Sequence, residues 1–286
     1  MGRMKLEAEM FRMNQRVPLR FFVVTFLWSW LLWMPLVLAG FGVLDISEHR
    51  QSMITMPLII LGAFGPAVGA IYSIKTLEGS EKVQGFLQSF LSLYFSLKLW
   101  LAIFFILGCI NFIAWYVPEL LGYDRAAMLL PGIFIFPLYW LYMVVLGGGQ
   151  EEIGWRGYIL PYMESRYGLW AGNVILGLLW AAWHIPLWWI SGATQAFMPF
   201  AAFVIGLVGL SFFLSWVLKK SNGKPLSAVI AHGTFNAFIP VFPTIIMEFE
   251  VFQLRFWMHE ILLLCIGVIL MWRWAKQRKR GRTPSD

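Results

Sequence analysis

The strongest constraint on this chain is a series of apolar runs, each about long enough to cross a lipid bilayer, separated by short polar segments. The runs fall at 20–41, 56–76, 97–117, 132–149, 168–190, 198–218, 225–246 and 259–275. A helix needs roughly 20 apolar residues to cross about 30 Å of hydrocarbon. The runs are continuous rather than alternating, which predicts helices and not barrel strands. Composition agrees: 59% of the 286 residues are hydrophobic and 13% are charged, against about 45–50% and about 25% in soluble domains. A soluble core of this size cannot hide so much apolar surface. The expected fold class is all-α, a polytopic membrane bundle of about eight transmembrane helices, with residues 1–286 forming a single integral membrane domain.

Eight spans put both termini on one side. The segments on that side are 1–20, 75–98, 150–167, 219–224 and 273–286, and they hold 19 of the 22 Lys and Arg residues. Arg50, Arg125 and Arg255 fall on the other. The positive-inside rule then predicts cytoplasmic termini, with 1–19 a cytoplasmic N-terminal segment and 276–286 a basic cytoplasmic tail. The net charge of +7 lies at membrane edges, where it meets anionic lipid. No basic stripe with interleaved aromatics is present, so nucleic acid is not an expected partner. The first apolar run is too long for an ordinary signal-peptide core and reads as an uncleaved span. Cys109 and Cys265 both sit in apolar runs without CxxC spacing and read as small buried hydrophobes.

Two further segments carry structural expectations. Gly65-Pro66-Ala67-Val68-Gly69 places small residues where helices approach closely, and its proline leaves one carbonyl in need of a donor. Segment 79–96 is amphipathic enough to lie in the membrane interface.

Polar groups inside a bilayer are costly, so those that persist are candidates for function. Three segments carry them. In Gln150-Glu151-Glu152-Ile153-Gly154-Trp155-Arg156, Glu152 and Arg156 share a helix face and can pair. Glu151 points about 100° away and is left without that counter-ion, as suits a group that takes a proton from water. The plainer alternative is a cytoplasmic loop with acidic residues at a helix N-terminus. In Trp180-Ala181-Ala182-Trp183-His184-Ile185-Pro186, His184 is the only His, Lys, Arg, Asp or Glu between Arg166 and Lys219; the alternative is a structural histidine. In His232-Gly233-Thr234-Phe235-Asn236, the i,i+4 pair faces one way and can present two donors to one target, or simply hydrogen-bond a neighbouring helix. Together these are the parts of a water-activating hydrolytic site. Rise per residue raises one difficulty. His232 lies about 10 Å and His184 roughly 24 Å from the assumed cytoplasmic helix ends, so the fifth helix is expected to start late, near Asn173.

At these residues the chain resembles the CPBP intramembrane proteases, the family that joins CAAX prenyl endopeptidases to bacteriocin-processing enzymes. The family pattern is EExxxR, an aromatic residue three positions before His, and HxxxN or HxxxD. It matches Glu151-Glu152 with Arg156, Trp180 with His184, and His232 with Asn236, and it is best over 130–246, the core that carries the motifs. Trp180 stands where Phe is more usual, a departure expected to touch packing rather than chemistry. The resemblance implies that Glu151 activates water, that Glu152 and Arg156 support it, that His184 works on the same water, and that His232 and Asn236 hold the oxyanion.

The family is commonly called metalloprotease. If zinc is the cofactor, Glu151, His184 and His232 are its ligands; a metal-free glutamate/histidine mechanism fits the same residues, and no HExxH is present. The expected activity is endopeptidase cleavage of a membrane-associated, prenylated (CAAX-type) protein or peptide, in a water-filled cavity facing the cytoplasm. Rival readings are a non-catalytic immunity factor or membrane scaffold, and a proton-coupled transporter. Transporters usually carry paired broken helices in related halves, whereas here the polar segments lie in the second half.

Overall fold

The computed structural model describes residues 18–92, 96–124, 126–130 and 132–281. Most of the predicted N-terminal segment 1–19 and the end of the tail 276–286 lie outside them. Among the described residues every regular element is helical. In chain order they are α1 (Leu19–Gly40), α2 (Glu48–Ala63), α3 (Gly65–Glu78), α4 (Ser80–Gln88), α5 (Leu97–Leu120), α6 (Phe136–Val145), α7 (Leu160–Trp183), α8 (Phe200–Lys220), α9 (Leu226–Phe238) and α10 (Leu254–Lys279). Six stretches are long and apolar enough to cross a membrane. The polytopic all-α bundle is therefore borne out, and the protein is an integral membrane protein.

Two of the eight apolar runs make short helices. Run 132–149 contains α6, of ten residues, and run 225–246 contains α9, of thirteen. At 1.5 Å per residue these reach about 15 and about 20 Å, less than a bilayer core. Hydropathy registers apolar length and not helix length. The first run breaks at Gly147-Gly148-Gly149 and the second passes into turns near Pro240. Ten of the thirteen α9 residues are buried. This helix runs through the interior, walled by α6, α8 and α5.

The loop alternative for 150–167 does not occur: the segment, expected between two spans on the cytoplasmic side, is helical, as the shared face of Glu152 and Arg156 requires. It passes through a 3-10 turn at Gly149–Glu151, an α-turn at Glu152–Gly154 and a π-helical stretch at Trp155–Ile159 before α7 begins. At Gly168 the backbone leaves helical geometry (φ 80°) and the chain folds back on itself. Asn173 donates to Glu164 at 3.0 Å and the Trp180 indole reaches Glu151, so the two halves of the hairpin lie antiparallel. A late helix start near Asn173 is not what occurs, because the helix runs unbroken from Leu169 to Trp183. The depth estimate assumed that α9 begins at a membrane surface, and a buried internal helix need not.

The Gly65-to-Gly69 stretch packs as expected. A Cβ on Gly65 or on Gly69 would collide with Thr25, Ser29 or Phe21 of α1. Pro66 has no N–H for the Gly62 carbonyl four residues earlier. Ser29 Oγ donates to that carbonyl at 2.7 Å and accepts from the Trp183 indole at 2.8 Å. A single hydroxyl thus joins α1, the α2–α3 break and the last residue of α7. Segment 79–96 is represented by α4, none of whose residues is buried, as an interfacial helix would be. The two cysteines depart from expectation: Cys109 is only partly buried and Cys265 is exposed on a face of α10.

Candidate active site

The site is built on the 149–184 hairpin and on α9. Gly148 makes its first bend possible. Its φ of +128° suits glycine alone, and a Cβ there would lie 2.9 Å from His232 Nε2 and overlap the Asn236 amide. Gln150 braces the turn, accepting from Gly148 N at 2.9 Å and donating to Leu146 O at 3.0 Å. The two carboxylates follow at once.

Adjacent in sequence, they meet different surroundings. Glu152 is fully buried. Arg156 Nη1 lies 3.1 and 3.0 Å from its two oxygens, and His232 Nδ1 lies 2.8 Å from Oε1. Glu152 is thus held by a guanidinium four residues away and by an imidazole 80 residues away. Glu151 is 6% exposed and receives a single neutral donor, the Trp180 Nε1–H, at 2.8 Å from Oε2. Its other oxygen has no hydrogen-bond donor among the described residues.

Both histidines are oriented through Nδ1. His184 Nδ1 lies 2.9 Å from the Trp180 carbonyl. A carbonyl only accepts, so this nitrogen carries the proton and Nε2 keeps its lone pair. His232 Nδ1 faces the Glu152 carboxylate, which leaves Nε2 on the Gly148 side. Asn236, one turn beyond His232, donates from Nδ2 to the Gly147 carbonyl and is only half-buried, so its second N–H is available. Trp180 lies among all of these. Its ring is 5.2 Å from the His232 ring and 6.1 Å from His184, and the Arg156 guanidinium stands 4.4 Å over its face.

All six predicted residues therefore fall in one region. Glu152, Arg156 and His232 are in direct contact, Glu151 and His184 are joined through Trp180, and Asn236 is joined through the Gly147–Gly148 turn. Two residues went unrecognised in the sequence. Trp180 was expected to affect packing alone, yet it donates to Glu151, which Phe cannot do. Gly148 was visible only as part of a glycine triplet. No group of three or more His, Cys, Asp or Glu side chains among the described residues is placed to share a metal ion, so Glu151, His184 and His232 do not form the zinc set in this arrangement.

The comparisons agree with the motifs. The family described as Rce1-like, type II CAAX prenyl endopeptidase, matches residues 133–238. A CAAX prenyl protease 2 from Methanococcus maripaludis is 22% identical over 229 residues, covering 77% of this chain and 82% of that protein. Over its motif-bearing stretch the chain is thus similar to the CPBP, or CAAX-protease, family. That family is one of intramembrane proteases, and the matched stretch falls inside the 130–246 core.

Proposed function

We propose that this protein is an intramembrane endopeptidase in which Glu151 activates water, acting on a membrane-associated, prenylated CAAX-type substrate. The observation that carries the reading is the division of labour between neighbouring carboxylates. Glu152 is held by Arg156 and His232 and is sealed from water. Glu151 keeps some exposure and an oxygen free to take a proton.

In the proposed reaction a water molecule lies between the free Glu151 oxygen and His184 Nε2. Glu151 takes one proton, His184 accepts a hydrogen bond from the other, and the water oxygen attacks the scissile carbonyl. The negative oxygen that forms is met by the free Asn236 N–H, and by His232 Nε2 when that ring carries both protons. The C–N bond then breaks, and the proton held by Glu151 passes to the leaving amine. Products are a new carboxylic acid, which keeps the other water proton until it ionises, and a new amine, so atoms and charge balance. Water would reach the site through a cavity opening to the cytoplasm, the side on which the basic loops place both termini. Residues 1–286 act as one membrane domain, with the motifs in 130–246 and the basic tail 276–286 against anionic lipid. The substrate class is taken from the family and from the name of the archaeal relative.

Zinc enters no step of this scheme. The donor types present, a carboxylate bound to an indole and an imidazole bound to a carboxylate, suit water activation without a metal.

The test is cleavage of a prenylated CAAX peptide by purified protein in liposomes. Glu151→Ala should abolish product while leaving the detergent-solubilised protein folded. Unchanged cleavage would remove the assigned role. Activity that survives exhaustive chelation, at negligible metal content, supports the metal-free scheme; activity that returns only with added zinc overturns it.

A further inference from the structure

We infer that Trp180 is the positioning residue that keeps Glu151 competent, by occupying one carboxylate oxygen with a neutral donor and so holding it off Arg156. The inference rests on the proposed role of Glu151 and deepens it.

A buried carboxylate beside a guanidinium ordinarily forms an ion pair. Here the conditions for a second pair are met. Arg156 gives only Nη1 to Glu152, while its Nε and Nη2 are buried without partners. Both would gain from a second carboxylate. An ion pair of that kind would tie up Glu151 and leave the site without a base. Instead, the indole contacts each of the two groups with a different part of its ring. Its face carries the guanidinium at 4.4 Å and its edge N–H donates to Glu151 at 2.8 Å. A cation on the ring face draws on the negative π-cloud. It also polarises the ring, which strengthens the N–H at the edge. Arg156 therefore acts on Glu151 through the indole, without bonding it.

The same residue sets the other partner of the water. The Trp180 carbonyl fixes the His184 proton on Nδ1. Backbone and side chain of one residue thus orient both groups proposed to hold the nucleophile. Any residue could supply the carbonyl; holding the carboxylate takes a side-chain donor, here the indole N–H, which Phe lacks.

The test uses the full-length protein in liposomes. Trp180→Phe keeps a ring over Arg156 and removes the donor. Trp180→His places its Nε2–H where the indole N–H stands, on a smaller ring. The expected result is that Trp180→Phe lowers kcat about tenfold to a hundredfold, part of the roughly 10²–10⁴ that a positioned general base supplies. KM and melting temperature should hardly change, and Trp180→His should recover a large share of kcat. A purely packing role predicts that both variants lose kcat and stability together, or that Trp180→Phe keeps wild-type kcat; either outcome overturns the inference. If a variant does not fold, ¹⁵N-indole spectra of tryptophan-labelled protein give an independent reading. One protected, downfield N–H should shift in Glu151→Ala. A spectrum with no such change overturns the contact. Full cleavage by Glu151→Ala would instead remove the functional reading, whereas an inactive Glu151→Ala beside a fully active Trp180→Phe removes the positioning role alone.

Discussion

Among the described residues two histidine–glutamate pairs are buried, and only one belongs to the candidate site. His232 and Glu152 meet at 2.8 Å across 80 residues, while His259 and Glu260 meet at 3.0 Å as neighbours on α10. Both pairs are almost fully buried. Around the first are a guanidinium, a second carboxylate with a free oxygen, a second imidazole and a half-buried amide. Around the second are Phe235 at 5.5 Å and the backbone of Gly206. The nearby Arg255 spends its donors on the Trp115 and Asp124 carbonyls, and His259 Nε2 is buried without a partner. Pairing alone does not make a site. What separates the two is an acidic group left without a counter-ion beside oriented donors.

The comparison can be broken most directly at that acidic group. Glu151→Gln should lower cleavage about a thousandfold, within the range of a lost general base, and Glu260→Gln should leave it within about twofold; equal losses in a peptide-cleavage assay would erase the distinction. Next in size, Asn236→Ala should cost about 10²–10³ in kcat, as for a lost oxyanion donor, with unchanged KM in steady-state kinetics. Arg156→Met tests support rather than chemistry. It strips Glu152 of its cation and should destabilise the protein by about 3–5 kcal/mol, seen as a lower melting temperature in detergent. The smallest effect belongs to the α10 pair. His259→Phe leaves Glu260 buried without its donor and should cost about 1–3 kcal/mol of stability with cleavage retained. Lost cleavage at full stability would move that pair into the site.

Much of this arrangement was legible because some of its geometry is local. Glu152 with Arg156, and His232 with Asn236, follow from the four-residue period of a helix, which places them on one face before any fold is known. Long-range partners were not legible. Spacing says that Glu151 and Glu152 point apart, but not that one would meet an indole and the other an imidazole. The helical hairpin at 149–183 was hidden as well. Its first half is polar enough to be set between spans at the membrane edge, and only burial of Glu152 and Arg156 against α9 makes it an interior segment. For α6 and α9, apolar length exceeded helix length because Gly147 to Gly149 and Pro240 stop the helix while hydropathy continues. The α10 pair had no motif to announce it.

Ser29 carries a practical consequence for anyone trimming the gene. The hydroxyl that satisfies the Pro66-orphaned carbonyl also grips the indole next to His184, so the motif-free first half of the chain helps aim a motif-bearing residue in the second. A fragment cut to the family-matched stretch should emerge misassembled, and supplying the missing half as a separate polypeptide should restore it.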